Sequence, residues 1–188
     1  GAFFIHPPPT PLATFFFSPG GGGGGAAPPA PPPPPPPSDL YPFFIPFFNP
    51  GENIPWIETA KMMREQTQLA EDANFETVWL TEHHFAHNGY LNAPPNPILM
   101  CADLAAHSKK IRVGQSPVVL PDWHPLRVAE DIAVLDHLTE GRVDFGASKG
   151  INERVCIQFN KDADRRDNKK SNDLFKECLD IILKAWTE

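Results

Sequence analysis

The chain has 188 residues and a formal net charge of −7, and lysine and arginine dominate no stretch of it. Nucleic acid is therefore not an expected partner, because neutralising phosphates requires clustered cations. No run of about 18 apolar residues occurs, so we predict no membrane span. The three cysteines are widely spaced and odd in number, which favours a reducing, cytoplasmic setting over a disulfide framework.

The first 38 residues do not have the composition of a folded domain. They contain 14 of the 24 prolines, including Pro31–Pro37, and the glycine run Gly20–Gly25. Proline runs favour extended polyproline II and glycine runs behave as flexible coil, so neither buries enough apolar surface to offset the entropy of ordering. We predict that residues 1–38 form a low-complexity, disordered tail and that residues 39–188 form the globular domain.

Strand and helix patterns alternate along the globular part. Phe43–Phe48 is a continuous apolar run that ends in an Asn-Pro-Gly turn, which is typical of a strand buried on both faces. The first amphipathic helix is predicted from Ile57 to Asn74, where asparagine is a suitable C-terminal cap. Strands and helices then alternate over Phe75–Leu80, Asn96–His107, Ile111–Leu120, His124–Leu138, Val143–Gly146 and Ser171–Trp186.

This alternation predicts an α/β fold with parallel strands joined by right-handed crossover helices. An open doubly wound sheet and a (β/α) barrel both satisfy the order. No Gly-x-Gly-x-x-Gly follows the first strand, which argues against a dinucleotide-binding sheet. A complete barrel of eight units needs about 250 residues, so four units predict the first half of a barrel.

Polar residues collect just after three of the predicted strands. They are Glu82-His83-His84, Pro121-Asp122-Trp123-His124 and Ser148-Lys149-Gly150. In a barrel the loops that follow the strands form the catalytic face. The three groups are therefore expected to meet at one mouth.

Two strings resemble the bacterial-luciferase-like family: TEHHFAHNGYLNAPPNP at the second strand, and GQSPVVLPDWHPLRVAEDIAVLDHLTEGRVDFGASKG from the third strand to the fourth. The similarity runs from about Phe43 to Glu188. It implies a (β/α)8 TIM-barrel fold of which this chain holds the first four units. It also implies a monooxygenase in which O2 adds to C4a of reduced FMN, and the C4a-peroxyflavin then oxidises a small organic substrate. A separate flavin reductase as the source of reduced FMN, and a dimer, are further expectations.

The resemblance also implies roles for particular residues. The first histidine of the EHHF motif, His83, is the candidate catalytic base, and the ordinary pKa of histidine suits proton transfer near neutral pH. Glu82 either orients an imidazole or ends the strand, and His84 is interpreted as structural. Lys149 lies where the family usually places an arginine that pairs with the FMN phosphate. Ser148 lies where luciferase itself carries a reactive cysteine, so no thiol chemistry is implied.

Ser116-Pro117 lies inside the third predicted strand. Proline there removes a hydrogen-bond donor from the ladder, which predicts a bulge, and we predict a cis peptide bond at this place. The resemblance implies that the flavin ring rests against these two residues. Ser116 and Pro117 therefore join Lys149 and Ser148 as candidate cofactor-binding residues.

His83 and His87 have the i, i+4 spacing that suits zinc ligands on a helix. The segment follows a strand and precedes Asn88-Gly89, which makes a helix improbable. We therefore predict no metal ligands.

Two other functions remain open from the sequence. An F420-dependent oxidoreductase would transfer hydride on the same fold, and titration with FMN against F420 distinguishes it. A non-catalytic flavin-binding or assembly half-barrel is the second, because four of eight units leave two strand edges exposed. Retained flavin together with the mass in solution distinguishes that case.

Overall fold

The computed structural model describes residues 3–5, 54–85, 93–151 and 153–187. The predicted first strand, Phe43–Phe48, lies outside these ranges. The elements in chain order are β1 (Phe3–Ile5), α1 (Trp56–Asp72), β2 (Thr77–Leu80), α2 (Pro97–Ala106), β3 (Arg112–Gln115), β4 (Val118–Val119), a 3₁₀ turn (Leu120–Asp122), α3 (Pro125–Leu138), β5 (Val143–Ser148), α4 (Glu153–Phe159) and α5 (Asn168–Thr187).

The sheet has the order β1-β5-β3-β2, and β4 also pairs with β5. β2 and β3 are parallel from Thr77 opposite Arg112 to Leu80 opposite Gln115, and β3 and β4 both run parallel to β5. Strands β2 to β5 run parallel and are separated by helices, except for β3 and β4, which follow each other directly, and this confirms the predicted α/β class. No helix within the described ranges is long and apolar enough to cross a bilayer.

The two faces of the sheet have different compositions. One face is apolar and packs under the helices, as Phe145 shows by meeting Trp186 of α5 edge to face at 5.2 Å between ring centroids. The buried side chains of this face are Val78, Leu80, Val113, Val143, Phe145 and Ala147, together with the polar Gln115. Since side chains alternate along a strand, the opposite face carries Thr77, Trp79, Arg112, Gly114, Asp144, Gly146 and Ser148.

An ion pair lies on this second face, here called the inner face, near the amino ends of the strands. Asp144 is 2% exposed and accepts from Arg112 Nη2 at 2.6 Å and from Thr77 Oγ1 at 3.1 Å. A buried carboxylate is tolerable only when it is hydrogen-bonded and paired in this way. The network fills this end of the inner face with structural contacts, so a site belongs at the opposite end.

The third predicted strand is interrupted. β3 ends at Gln115 and β4 begins at Val118, and the intervening Ser116-Pro117 bond is cis, as predicted. Ser116 N–H still donates to Leu80 O at 2.7 Å, so the ladder with β2 reaches the interruption. The predicted cap at Asn74 is also confirmed, since this residue has φ 60° and the next N–H donates to Ala70 O at 2.9 Å.

Three elements differ from the sequence prediction. β5 continues to Ser148, two residues beyond its predicted end, because its edge is still paired by β4. The short helix α4 was not predicted, and α5 begins three residues earlier than expected. β1 lies in the segment treated as a tail, and it pairs antiparallel with β5 from Phe3 opposite Ala147 to Ile5 opposite Phe145.

Candidate active site

Glu82 anchors the segment that follows β2. Its side chain is fully buried and its two oxygens accept three hydrogen bonds, from Val119 N–H at 2.9 Å, Trp123 Nε1 at 2.9 Å and His84 Nε2 at 2.8 Å. One carboxylate thus ties the segment after β2 to β4 and to the loop that leads into α3. The hydrogen bond to the His84 imidazole agrees with the orienting role that the sequence left open for Glu82, and a catalytic role for Glu82 stays a prediction.

The two histidines have different surroundings. The His84 ring packs on Phe159 of α4 at 4.7 Å between centroids, and Phe159 in turn stacks on Phe85 at 5.6 Å. These contacts, with the bond to Glu82, agree with the structural role predicted for His84. His83 lies between Glu82 and His84 in the chain. It is partly exposed, and its backbone N–H donates to Pro94 O at 3.3 Å.

Asp122 is an unusual carboxylate beside this anchor. Both of its oxygens are buried and have no hydrogen-bond partner among the described residues. Burial first, and the negative charge of Glu82 second, raise the pKa of Asp122 to about 6. Its neighbour Cys156 is buried as well, and burial together with Asp122 raises the pKa of that thiol to about 12. Cys156 is therefore a packed, inert thiol at neutral pH.

Glu82, His84 and Asp122 together have the chemistry of a metal site, because one ligand atom of each lies within 4.8 Å of the others. Glu82, however, already accepts bonds from Val119, Trp123 and His84. Glu82 and His84 are thus a hydrogen-bonded pair, and the Asp122 carboxylate lies beside them. The absence of metal ligands stays a prediction.

The segment after β5 forms a second group. Lys149 Nζ donates to Asn168 Oδ1 at 2.8 Å and to Asn172 Oδ1 at 2.6 Å, both in the first turns of α5. Ser148 Oγ accepts from Gly150 N–H at 3.0 Å. The lysine amine is thereby held at the carboxyl end of β5 and at the amino end of α5.

Gly150 makes this turn possible. Its φ is +74°, and a Cβ placed there would lie 2.8 Å from Val119 Cγ1 and 2.9 Å from Cys156 Sγ. A side chain would meet both a strained backbone and two buried atoms. Only glycine therefore allows the backbone after Lys149 to close against β4 and α4.

A sequence profile described as that of the luciferase-like monooxygenases matches residues 41–188, which is more than half of the chain. The chain belongs to the luciferase-like monooxygenase family. The match begins close to where the sequence predicts that the globular part begins.

Curated members of the family align with part of this luciferase-like chain. The alkanal monooxygenase alpha chain of the Kryptophanaron alfredi symbiont is 35% identical over 131 residues, or 70% of this chain and 34% of that protein. The oxygenase component of the flavin-dependent trigonelline monooxygenase of Acinetobacter baylyi is 30% identical over 124 residues, or 66% of this chain and 33% of that protein. The chain spans about a third of the length of these two relatives.

Solved structures of luciferase-like enzymes share the fold. The oxygenating constituent of 3,6-diketocamphane monooxygenase from Pseudomonas putida, in complex with FMN, matches with a TM-score of 0.65 at 24% identity, covering 78% of this chain and 39% of that one. Monooxygenase RslO1 from Streptomyces bottropensis matches with a TM-score of 0.62 at 24% identity, covering 79% and 43%. The partial TIM-barrel fold predicted from the sequence is thereby confirmed.

Sequence reasoning missed several residues of the luciferase-like site. Asn168 and Asn172 lie in a charged stretch that reads as a solvated helix start, but their i, i+4 spacing places both amides on one face. Trp123 and Phe159 carry no local signal, because their contacts with Glu82 and His84 join segments far apart in the chain.

Proposed function

We propose that this chain forms the flavin-binding half of an FMN-dependent monooxygenase, which uses reduced FMN and O2 to oxidise a small organic substrate. The observation that carries the proposal is the arrangement of Lys149, Asn168 and Asn172 at the carboxyl end of β5. Ligands of parallel-stranded barrels bind at this end. The family, the flavin-dependent relative from Acinetobacter baylyi and the FMN-bound neighbour support the choice of cofactor.

The arrangement fits a phosphate. An ammonium group has three donors, and Lys149 uses two of them on the asparagine oxygens, which leaves one for an anion. Because Asn168 and Asn172 accept through oxygen, their amide nitrogens keep their donors for a further acceptor. The positive end of the α5 dipole adds to the attraction. These residues would hold the phosphate of FMN.

The interruption between β3 and β4 fits the flavin ring. Ser116 and Pro117 separate two strand segments on the way to the same mouth, and both are partly exposed. The ring would rest on these two residues, with Ser148 on the neighbouring strand. Bound reduced FMN supplies the electrons that activate O2. His83 takes and returns the proton that this chemistry moves, since it follows β2 at the same end of the sheet.

Reduced FMN must come from elsewhere in this scheme. The relative from Acinetobacter baylyi carries the name of an oxygenase component, which agrees with a flavin reductase as a separate protein. A dimer and a cytoplasmic location complete the proposal. The cytoplasmic location agrees with the reduced cysteines that the sequence suggests, since the three cysteines are free and buried.

The deciding experiment is a titration of the purified chain with FMN, read by flavin fluorescence. Lys149→Ala is expected to weaken FMN binding by about 10- to 150-fold, because a charge-assisted contact contributes on the order of 1.5–3 kcal/mol. Lys149→Arg should keep most of the affinity, since the charge remains. Lys169→Ala is the matched control, because Lys169 starts the same helix but pairs with Asp173 in solvent.

Three outcomes would contradict the proposal. The phosphate lies elsewhere if Lys149→Ala and Lys169→Ala bind FMN as tightly as the parent. A chain that binds F420 and not FMN has the hydride-transfer function instead. A parent chain that binds neither flavin has the assembly role.

A further inference from the structure

Arg165 contacts the turn that carries Lys149. It lies in the connection that leads into α5, and its Nη1 donates to the carbonyl oxygen of Gly150. The N–H of Gly150 donates to Ser148 Oγ at 3.0 Å, so both polar atoms of the Gly150 backbone have a partner. The backbone that supports the Lys149 side chain is thereby held from the side of β5 and from the side of α5.

This contact completes a ring of bonds that includes Lys149. Asn168 and Asn172 of α5 accept from the lysine amine, and the chain that precedes Asn168 leads back through Arg165 to Gly150. A lysine side chain is flexible, so its amine keeps a fixed position only when the backbone that carries it is fixed as well. Without the Arg165 bond, this link between the turn and the start of α5 would run through the flexible lysine side chain.

Arg165 forms no ion pair among the described residues, although carboxylates lie close to it in the chain. Asp164 pairs with Arg166 at 2.6 Å, and Asp162 pairs with Lys170 at 2.6 Å. A guanidinium that served only to stabilise this connection would gain more from a carboxylate than from a neutral carbonyl, because charge-assisted hydrogen bonds are the stronger ones. The bond to a carbonyl of the turn therefore indicates a role in the turn itself.

The guanidinium also lies near the buried side of the turn. Burial, followed by the charge of Asp122, raises the pKa of Cys156 to about 12, and the positive charge of Arg165 opposes that rise. The Cys156 sulfur lies 2.9 Å from the position of a Cβ added to Gly150. The packing beneath Gly150 and the hydrogen bond to its carbonyl thus restrain the same residue.

We propose that Arg165 is a positioning residue of the phosphate site and determines how strongly the chain prefers a phosphorylated flavin to an unphosphorylated one. The inference rests on the proposed function, in which Lys149 holds the phosphate of FMN. Arg165 does not touch the phosphate in this scheme. It holds the Gly150 carbonyl, so that the Lys149 amine is in place before the cofactor binds, and less ordering has to be paid for on binding.

The test measures the ratio of the dissociation constants of riboflavin and FMN by flavin fluorescence. Riboflavin lacks the phosphate, so the ratio reports on the phosphate contacts. Arg165→Met keeps a long side chain without donors and should lower the ratio by about 3- to 10-fold, with little change in riboflavin affinity, since one hydrogen bond is lost. Arg165→Lys should restore most of the ratio, because an ammonium group can donate to the same carbonyl.

A double-mutant cycle separates positioning from direct contact with the phosphate. Because Arg165 acts through Lys149, Arg165→Met should change the ratio little in the Lys149→Ala background. Arg166→Met is the matched control. It removes the same charge from the next residue, which is exposed and pairs with Asp164, and it should leave the ratio unchanged. If Arg165→Met does not fold by circular dichroism, Arg165→Gln, a shorter neutral side chain, takes its place.

Three results overturn the inference and leave the proposed function standing, because the parent still prefers FMN in each. The first is an equal fall of the ratio in Arg165→Met and Arg166→Met, which would assign the effect to charge alone. The second is an equal loss of affinity for riboflavin and FMN in Arg165→Met, which would make the role structural. The third is a fall of the ratio in Arg165→Met that persists undiminished in the Lys149→Ala background.

The inference can also be tested if the proposed function fails. When the parent binds neither flavin, the probe is inorganic phosphate, read by the broadening of its ³¹P resonance on the flavin-free chain. Broadening that is lost in Arg165→Met and kept in Arg166→Met supports the inference. No broadening by the parent, or equal broadening by the parent and Arg165→Met, overturns it. A parent that binds riboflavin as tightly as FMN overturns both the inference and the phosphate site on which it rests.

Discussion

Gly150 and Gly141 form a natural pair for separating backbone strain from steric contact. Both have positive φ, +74° and +82°, but only Gly150 has buried atoms within contact of an added Cβ. We expect Gly141→Ala to destabilise by about 1 kcal/mol through strain alone. Gly150→Ala should cost about 2–4 kcal/mol, because overpacking adds to the strain. Urea unfolding of both variants measures the difference, and equal values would contradict the contact with Val119 and Cys156.

Ionisation of Asp122 lowers the stability of the fold as pH rises toward neutrality. Its pKa is raised from an ordinary 3.8 to about 6, so the folded chain binds more protons than the unfolded chain between these values. Stability contributed by the protonated form is complete below pH 3.8 and is lost as pH rises through 6. The stability of Asp122→Asn relative to the parent should therefore be about 1–2 kcal/mol greater at pH 7.5 than at pH 4. This value allows for solvent screening of a partly exposed group.

Thermal melting at the two pH values measures this gain. Asp180→Asn, an exposed site on α5, is the control and should show no comparable change. A gain for Asp122→Asn that is the same at pH 4 and pH 7.5 would mean that the carboxyl is not the titrating group.

The adjacent histidines predict opposite phenotypes in a chain extended to the complete barrel. His83→Ala should lower turnover by about 10²–10⁴ at saturating reduced FMN and O2, the usual contribution of a positioned acid or base, with little change in FMN affinity. His84→Ala removes the Glu82 bond and the Phe159 contact, so it should lower stability first. Normal turnover in His83→Ala would end the assignment of the base.

Among the elements, the Glu82 side chain connects the segment after β2 to β4 and to the loop before α3 by hydrogen bonds. Removing its carboxylate leaves the Val119 N–H and the Trp123 indole N–H without acceptors, at about 1–3 kcal/mol for each buried donor. We expect Glu82→Ala to accelerate hydrogen exchange at the Val119 amide. Glu177→Ala, exposed on α5, provides the comparison. An unchanged Val119 exchange rate would show that other contacts hold β4 in place.

The sequence predicted the elements whose signal is local. Apolar spacing located α1, α2 and α3 to within a few residues, and Pro117 located the interruption of the third strand. α4 was missed because it is only seven residues long, too short for an apolar stripe to stand out. The early start of α5 was hidden by its charged first turn, which resembles a loop.

For the site, the sequence predicted the positions and not the partnerships. Ends of parallel strands converge, so Glu82, His83 and Lys149 could be assigned to one mouth. The bond from Glu82 to His84, and not to His83, depends on the course of the backbone after β2, for which the sequence carries no local signal. The raised pKa of Asp122 likewise depends on burial by α4, an element that the sequence did not reveal.

At the scale of the whole molecule, the described part leaves large apolar side chains in solvent. Leu69, Leu99 and Leu138, on three different helices, are each 68% exposed. A sheet of this size also keeps an unpaired edge at β2 among the described strands, which invites pairing with another chain. We expect analytical ultracentrifugation to show that the chain self-associates at micromolar concentrations and above. A cooperative monomer across that range would count against the predicted dimer.

β5 has a partner along each edge, with β3 and β4 on one side and β1 on the other. In a closed barrel the fourth strand receives a fifth on that second side, running parallel to it. One edge offers one row of hydrogen bonds, so β1 and an incoming fifth strand are mutually exclusive. A fifth strand can therefore pair with this edge of β5 only where the three residues of β1 do not occupy it.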